Sequence, residues 1–129
     1  MSIEINTHPK ITVDLPNGIY LLDSTASPGK TYMCDILNSV VSKYRDVLVY
    51  SYRDYIVSGT YILSFVGKYK LIVADRFGMY SNDAAVLDFL LKHSENAVVL
   101  LDKKSIYGIP RKAKYAFLNL KEDSIWIDN

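Results

Sequence analysis

The sequence has little cysteine, no long apolar run and almost no net charge. Its single cysteine, Cys34, excludes an intramolecular disulfide. No apolar run approaches the roughly 18–20 residues of a membrane span, and residues 1–10 lack the basic and then apolar pattern of a secretory leader. The 15 basic and 14 acidic residues give a net charge of +1, which favours neither nucleic acid nor an anionic membrane as a partner. We therefore expect a cytoplasmic protein without a membrane span.

The chain of 129 residues has an ordinary globular balance, since 50% of its residues are apolar and 22% are charged. This length suits one domain, 1–129, that is large enough to bury a hydrophobic core without disulfide bonds or other cross-links. Residues 1–17 are mostly polar and predict a lead-in that can include an edge strand over 10–15. The cysteine and the 2 histidines are too scattered for the spacing of a zinc site.

Strand-type and helix-type patterns alternate along the rest of the chain. Short apolar runs predict strands over residues 18–23, 46–52, 70–75 and 96–102. Helical spacing of apolar residues predicts helices over 30–44 and 82–93, whereas 61–69 fits either type. Residues 115–129 indicate a terminal hairpin. We therefore predict an α/β fold, a mostly parallel sheet of about five strands in three layers, with helices on both faces and an antiparallel C-terminal hairpin strand.

The segment 24–31, STASPGKT, ends like a phosphate-binding loop. It follows a predicted strand and leads into a predicted amphipathic helix, which is the setting that the pattern GxxxxGK[ST] requires. Inward backbone N–H groups and the positive end of the helix dipole favour an anion there. The Lys30 ammonium can reach the β- and γ-phosphates, and the Thr31 hydroxyl can bind Mg²⁺. The candidate nucleotide-binding residues are Ser24, Thr25, Ala26, Ser27, Gly29, Lys30 and Thr31.

A second motif, LIVAD over residues 71–75, is an apolar strand that ends in an acid. Together the two motifs resemble the Walker A and Walker B elements of the P-loop NTPase superfamily, and the order of elements resembles it over roughly residues 18–120. The resemblance implies ATP or GTP as the nucleotide and Mg²⁺ as the cofactor, held by Thr31 and Asp75. It also implies that Asp75 belongs to the catalytic site. Asp23 and Asp102 end two other predicted strands, where ligands bind in such sheets.

Three departures from the P-loop pattern bear on catalysis. Ser24 replaces the first glycine, and Pro28 lacks an N–H group that the usual loop donates to phosphate. Arg76 stands where many ATP-hydrolysing relatives have a glutamate that activates water. Asp83 or Asp102 can stand in for that glutamate, although neither has the expected spacing. We therefore expect slow hydrolysis, or hydrolysis that depends on a partner.

The sequence supports two functions from different classes. The first is an ATP- or GTP-binding P-loop protein with weak or partner-dependent NTPase activity. The alternative is a non-catalytic α/β module that binds a protein partner or associates with itself, in which SPGKT is only a turn and a helix start. A contact with nucleic acid through the basic segment 103–114, KKSIYGIPRKAK, is a third interpretation, although the same segment also reads as a solvated connector.

Overall fold

The computed structural model describes residues 2–24, 27–40, 43–58, 68–102, 112–121 and 123–129. Eight strands and three α-helices lie in these residues. The strands are β1 (Ile3–Ile5), β2 (Lys10–Val13), β3 (Gly18–Ser24), β4 (Val47–Tyr50), β5 (Leu71–Ala74), β6 (Val98–Leu101), β7 (Lys114–Lys121) and β8 (Ser124–Asp128). The helices are α1 (Ser27–Val40), α2 (Tyr52–Ser58) and α3 (Ala84–His93), and a 3-10 turn covers Phe77–Met79.

All eight strands join one mixed, curled sheet in the order β1-β2-β8-β7-β3-β6-β5-β4. The strands β3, β6, β5 and β4 run parallel, and β7 runs parallel to β3. Strand β8 is antiparallel to β7, β2 is parallel to β8, and β1 is antiparallel to β2. The β7–β8 hairpin therefore lies in the middle of the sheet, between the β1–β2 pair on one side and strands β3, β6, β5 and β4 on the other.

Two clusters of buried side chains lie on opposite faces of the sheet, because successive strand residues point to opposite sides. The α1 face carries strand residues such as Val73 and Leu100, which pack with Met33, Cys34 and Leu37 of α1. The α3 face carries the alternate residues of the same strands, which pack with α3. Among the described residues, the strands that contribute buried side chains to the α3 face are β3, β4, β5 and β6. The other half of the sheet thus builds its buried core on the α1 face.

The predicted fold class is wrong. The structure is mostly β, with one eight-stranded mixed sheet and three short helices, rather than a mostly parallel three-layer α/β fold of about five strands. The strand expected over 10–15 is β2, but it is not an edge strand, because β1 and β8 pair with its two sides. Strand β1 is not among the predicted elements, and Ile5, Ile11 and Val13 of the lead-in reach the core of the α1 face. The hairpin lies inside the sheet and not at its edge, because β2 pairs with the outer side of β8.

Two helices also differ from the sequence prediction. Helix α1 begins at Ser27 instead of residue 30, because the fixed φ and missing N–H of Pro28 suit the first turn of a helix. Helix α2 is not among the predicted elements. Its start is closed by a capping box in which the Ser51 N–H donates to the Asp54 carboxylate at 3.0 Å and the Asp54 N–H donates to the Ser51 hydroxyl at 3.1 Å. The ambiguous segment 61–69 lies mostly outside the described residues.

Candidate functional site

Two acids meet where β5 and β6 end. Asp75 follows the last residue of β5 and Asp102 follows the last residue of β6, and these strands are parallel neighbours with Ala74 beside Leu101. Both acids come two residues after buried side chains of the α1 face, so both carboxyl groups point to that face. The two groups lie within hydrogen-bonding reach of each other. We call Asp75 and Asp102 the carboxyl pair.

The setting of Asp75 is unfavourable for its negative charge. Partial burial raises the pKa of its carboxyl group above the ordinary value of 3.8, and the negative charge of Asp102 raises this pKa further. The Cys34 thiol, which donates a hydrogen bond to Asp75, and the positive charge of Arg76 lower the pKa without cancelling the shift. A pair of this kind is stabilised by a proton or by a bound cation, because either removes the repulsion between the carboxylates.

Cys34 lies on the buried side of α1 and faces the carboxyl pair. Burial raises the pKa of its thiol, and the negative charges of Asp75 and Asp102 raise it further. The sulfur is therefore a neutral hydrogen-bond donor at neutral pH and not a thiolate nucleophile. The sequence gives one signal of this position, because Cys34 is three residues before the buried Leu37 and so shares its helix face.

Arg76 turns the chain away from the sheet directly after Asp75. Its φ of 51° lies in the left-handed region, where a non-glycine residue costs of order 1 kcal/mol. The Arg76 N–H donates to Oδ2 of Asp102 at 3.2 Å, and this bond holds the turn beside the carboxyl pair. The Arg76 side chain is exposed.

Tyr80 supports the end of β5 from the α3 face. Its hydroxyl lies 2.8 Å from the carbonyl oxygen of Asp75 and 3.1 Å from that of Tyr50, and the residue is 3% exposed. The rings of Tyr50 and Phe77 meet it edge-on, and the rings of Tyr52 and Tyr55 are stacked with it. Sequence reasoning missed this support, since two of the contacts come from α2.

The sequence-predicted phosphate loop is shorter in the structure than its motif indicates. Ser24 is the last residue of β3 and Ser27 is the first residue of α1, so only two residues connect the strand to the helix. These two, Thr25 and Ala26, lie outside the described residues. Gly29, Lys30 and Thr31 fall within the first five residues of α1. The carboxyl pair and the beginning of α1 share one edge of the sheet, because β3, β6 and β5 are adjacent parallel strands.

Two other acids of that edge lie away from the carboxyl pair. Asp23 is exposed, and alternation along β3 puts it on the side away from α1. Asp83 is the N-cap of α3, where its Oδ1 accepts from the N–H groups of Ala85 and Val86 at 3.0 and 3.3 Å. Its Oδ2 accepts from the Tyr55 hydroxyl at 2.8 Å. Asp83 is therefore committed to a structural role.

Most of the basic segment 103–114 lies outside the described residues. Lys112 and Lys114 are exposed and line a cavity of about 290 Å³ with Glu95 at the opposite edge of the sheet, where β3 and β7 begin. The structure thus separates these two lysines from the carboxyl pair.

Comparisons of the chain with protein-family models, with curated proteins and with solved structures give no match. Within the described residues, no three side chains of histidine, cysteine, aspartate or glutamate come together as a metal cluster. None of the helices in that part of the chain has the length and apolar content of a membrane span.

Proposed function

We propose that the protein binds ATP or GTP together with Mg²⁺ at the edge of the sheet where β5 and β6 end. The observation that carries this proposal is the carboxyl pair, two half-buried acids at the ends of neighbouring parallel strands, beside the helix that begins with the SPGKT sequence. The edge beyond the carboxyl ends of parallel strands is where open sheets bind ligands.

The donor chemistry of the pair fits Mg²⁺. Magnesium prefers oxygen ligands, keeps several of its waters and is commonly bound by one or two carboxylates together with phosphate oxygens. The carboxylates of Asp75 and Asp102 meet this need without a third protein ligand. A bound cation would supply positive charge that stabilises both the carboxylates and the phosphates of the nucleotide.

The phosphates would meet the first turn of α1. The N–H groups of a first helical turn have no partner within the helix, and the helix dipole adds positive potential there. Pro28 removes one N–H, but Ser27, Gly29 and Lys30 keep theirs. Lys30 and Thr31, the two residues whose ammonium and hydroxyl groups the motif assigns to phosphate and metal, are the fourth and fifth residues of α1. In this arrangement the phosphates sit at the end of the helix rather than inside a long loop.

We propose that hydrolysis is slow or depends on a partner. Arg76 follows Asp75, so the chain has no glutamate at that point, and Asp83 is occupied as the cap of α3. Asp75 is the acid that we assign to catalysis. We also propose a cytoplasmic location, because the one cysteine is a buried free thiol that suits a reducing compartment.

A thermal shift experiment tests the proposal. A ligand at 100 times its Kd stabilises the native state by about 2.7 kcal/mol, which raises Tm by several degrees in a protein of this size. We expect Mg²⁺ with ATP or GTP to raise the Tm of the parent protein, and Lys30→Ala or Asp75→Asn to lose most of this shift. Asp83→Asn is the matched control, since it removes one negative charge and leaves the carboxyl pair intact.

The alternative function, a non-catalytic interaction module, has one observation in its favour. Ile56 and Val57 on α2 and Met79 in the 3-10 turn are 64%, 77% and 61% exposed. Large apolar side chains at such exposure are candidates for contact with a protein partner or a second copy. No Tm shift at millimolar nucleotide, in the parent and in all variants, would support this alternative over nucleotide binding.

A further inference from the structure

We propose that a surface pocket beside α1 binds the base of the nucleotide, with the ring of Tyr32 as its stacking surface. This inference rests on the proposed nucleotide function and deepens it. The pocket has a volume of about 250 Å³ and is lined by Tyr32 of α1, Leu120 of β7, Pro9, and residues at the start of β8. We call it the Tyr32 pocket.

The topology puts the Tyr32 pocket at the same edge of the sheet as the carboxyl pair. In the parallel register of β7 with β3, Leu118 lies beside Ser24, so Leu120 extends two residues past the end of β3. Pro9 comes directly before β2, which runs parallel to β8 and begins beside it. The pocket therefore lies at the end of the sheet where β3 ends and α1 begins.

Its distance from the first turn of α1 suits one ligand that occupies both places. Tyr32 is five residues after Ser27, the first residue of the helix. At a rise of 1.5 Å per residue this separation is ~7–8 Å along the helix axis, a length that a sugar and phosphate groups can bridge. Phosphates at the helix start and a base beside Tyr32 are therefore compatible with a single bound nucleotide.

The chemistry of the lining suits a flat heterocycle. Tyr32 and Leu120 are 47% and 50% exposed, which leaves an aromatic ring and an aliphatic side chain available in the lining of the pocket. Asp123 and Ser124 also line it and offer polar groups to the edge of a base. Pockets that enclose a whole drug-sized ligand run from about 300 to 1,000 Å³, so this smaller pocket suits the base alone.

The test compares Mg²⁺-ATP and Mg²⁺-GTP with Mg²⁺-tripolyphosphate, which has phosphates but no base, by titration calorimetry. Stacking of one base on an aromatic side chain corresponds to roughly 5- to 150-fold in affinity. We expect Tyr32→Ala to weaken at least one of the two nucleotides by such a factor and to leave tripolyphosphate binding unchanged. Tyr32→Phe should restore the affinity, because it keeps the ring. Tyr115→Ala is the matched control, since Tyr115 is 48% exposed but lies outside the pocket.

The outcomes separate this inference from the function on which it rests. If Tyr32→Ala binds both nucleotides as tightly as the parent, the base pocket is wrong and nucleotide binding stands. Equal weakening of nucleotides and tripolyphosphate would also overturn the base pocket, because Tyr32 would then act on the phosphates. If the parent binds neither nucleotides nor tripolyphosphate, the proposed function fails and the base pocket fails with it.

Discussion

Asp75 and Asp83 both follow β5 and are eight residues apart, but the surroundings of their carboxyl groups differ. The Asp83 carboxylate accepts two N–H groups of α3 and the Tyr55 hydroxyl. Asp75 receives the weakly donating thiol of Cys34 and faces a second carboxyl group, that of Asp102. Both carboxylate oxygens of Asp83 thus accept hydrogen bonds that stabilise the fold. Asp75 instead lies beside a group of like charge, an arrangement that is unfavourable for its ionised form.

This contrast is the basis of our proposal that Asp75 serves a ligand, whereas Asp83 serves the structure. Titratable groups that are desolvated and placed beside a like charge concentrate at functional sites, because a bound ligand or cation repays the unfavourable setting. Tyr80 connects the two regions, since its hydroxyl contacts the backbone of Asp75 and its ring stacks on Tyr55, the partner of Asp83. Variants of Asp83, Asp75 and Tyr80 therefore test whether the two acids differ in this way.

The largest effect is expected from Tyr80→Ala. Removal of a buried aromatic side chain leaves a cavity and costs about 3–5 kcal/mol, and here it also removes the bond to the carbonyl of Asp75. We expect a loss of that size in the free energy of unfolding, measured with urea. Tyr80→Phe isolates the hydroxyl and should cost about 1–2 kcal/mol. A loss below about 1 kcal/mol for Tyr80→Ala would show that the ring does not join the two regions.

A smaller effect is expected from Asp83→Ala. This substitution removes the N-cap of α3 and the acceptor of the Tyr55 hydroxyl, so it should lower the free energy of unfolding by about 1–2 kcal/mol. Asp83→Asn keeps a good capping residue and should recover most of that loss. If Asp83→Ala is neutral, Asp83 is not the structural acid of the comparison.

The smallest effect, and one of opposite sign, is expected from Asp75→Asn. The folded-state pKa of Asp75 is raised above 3.8, so the stability that this group contributes is present below pH 3.8 and is lost as the pH rises through the folded pKa. Asn keeps the shape and an acceptor for the Cys34 thiol but carries no charge. We therefore expect the variant to unfold at a higher Tm than the parent at neutral pH. The difference should shrink as the pH falls through the folded pKa and should be gone below pH 3.8. A difference that is independent of pH would contradict this account.

Local patterns in the sequence locate the strands and the helix of the candidate site, but they do not show which of its acids lie side by side. The apolar runs before Asp75 and Asp102 are strands β5 and β6, and the helical spacing after residue 30 belongs to α1. Which acids share a face depends on strand register, which no local pattern contains. The separation of Asp23 from the carboxyl pair therefore appears only in the folded sheet.

The fold class could not be predicted because two decisive features are non-local. Strands β1 and β2 are short and carry polar residues, so their periodicity is weak, and they are fixed by pairing with β8 at the far end of the chain. The position of the hairpin inside the sheet follows from the same pairing. The Cys34 contact with Asp75 likewise joins a helix to a strand that lies about forty residues later.

The most direct test of the central claim, that the carboxyl pair is a cation and nucleotide site, is an NMR titration of the Asp75 side-chain carboxyl carbon against pH. The pKa of Asp75 should lie above 3.8 in the free protein and should fall when Mg²⁺ and ATP or GTP are added. Asp102→Asn should lower the pKa in the free protein, because it removes the neighbouring charge. A pKa that does not move with saturating Mg²⁺ and either nucleotide would contradict the claim.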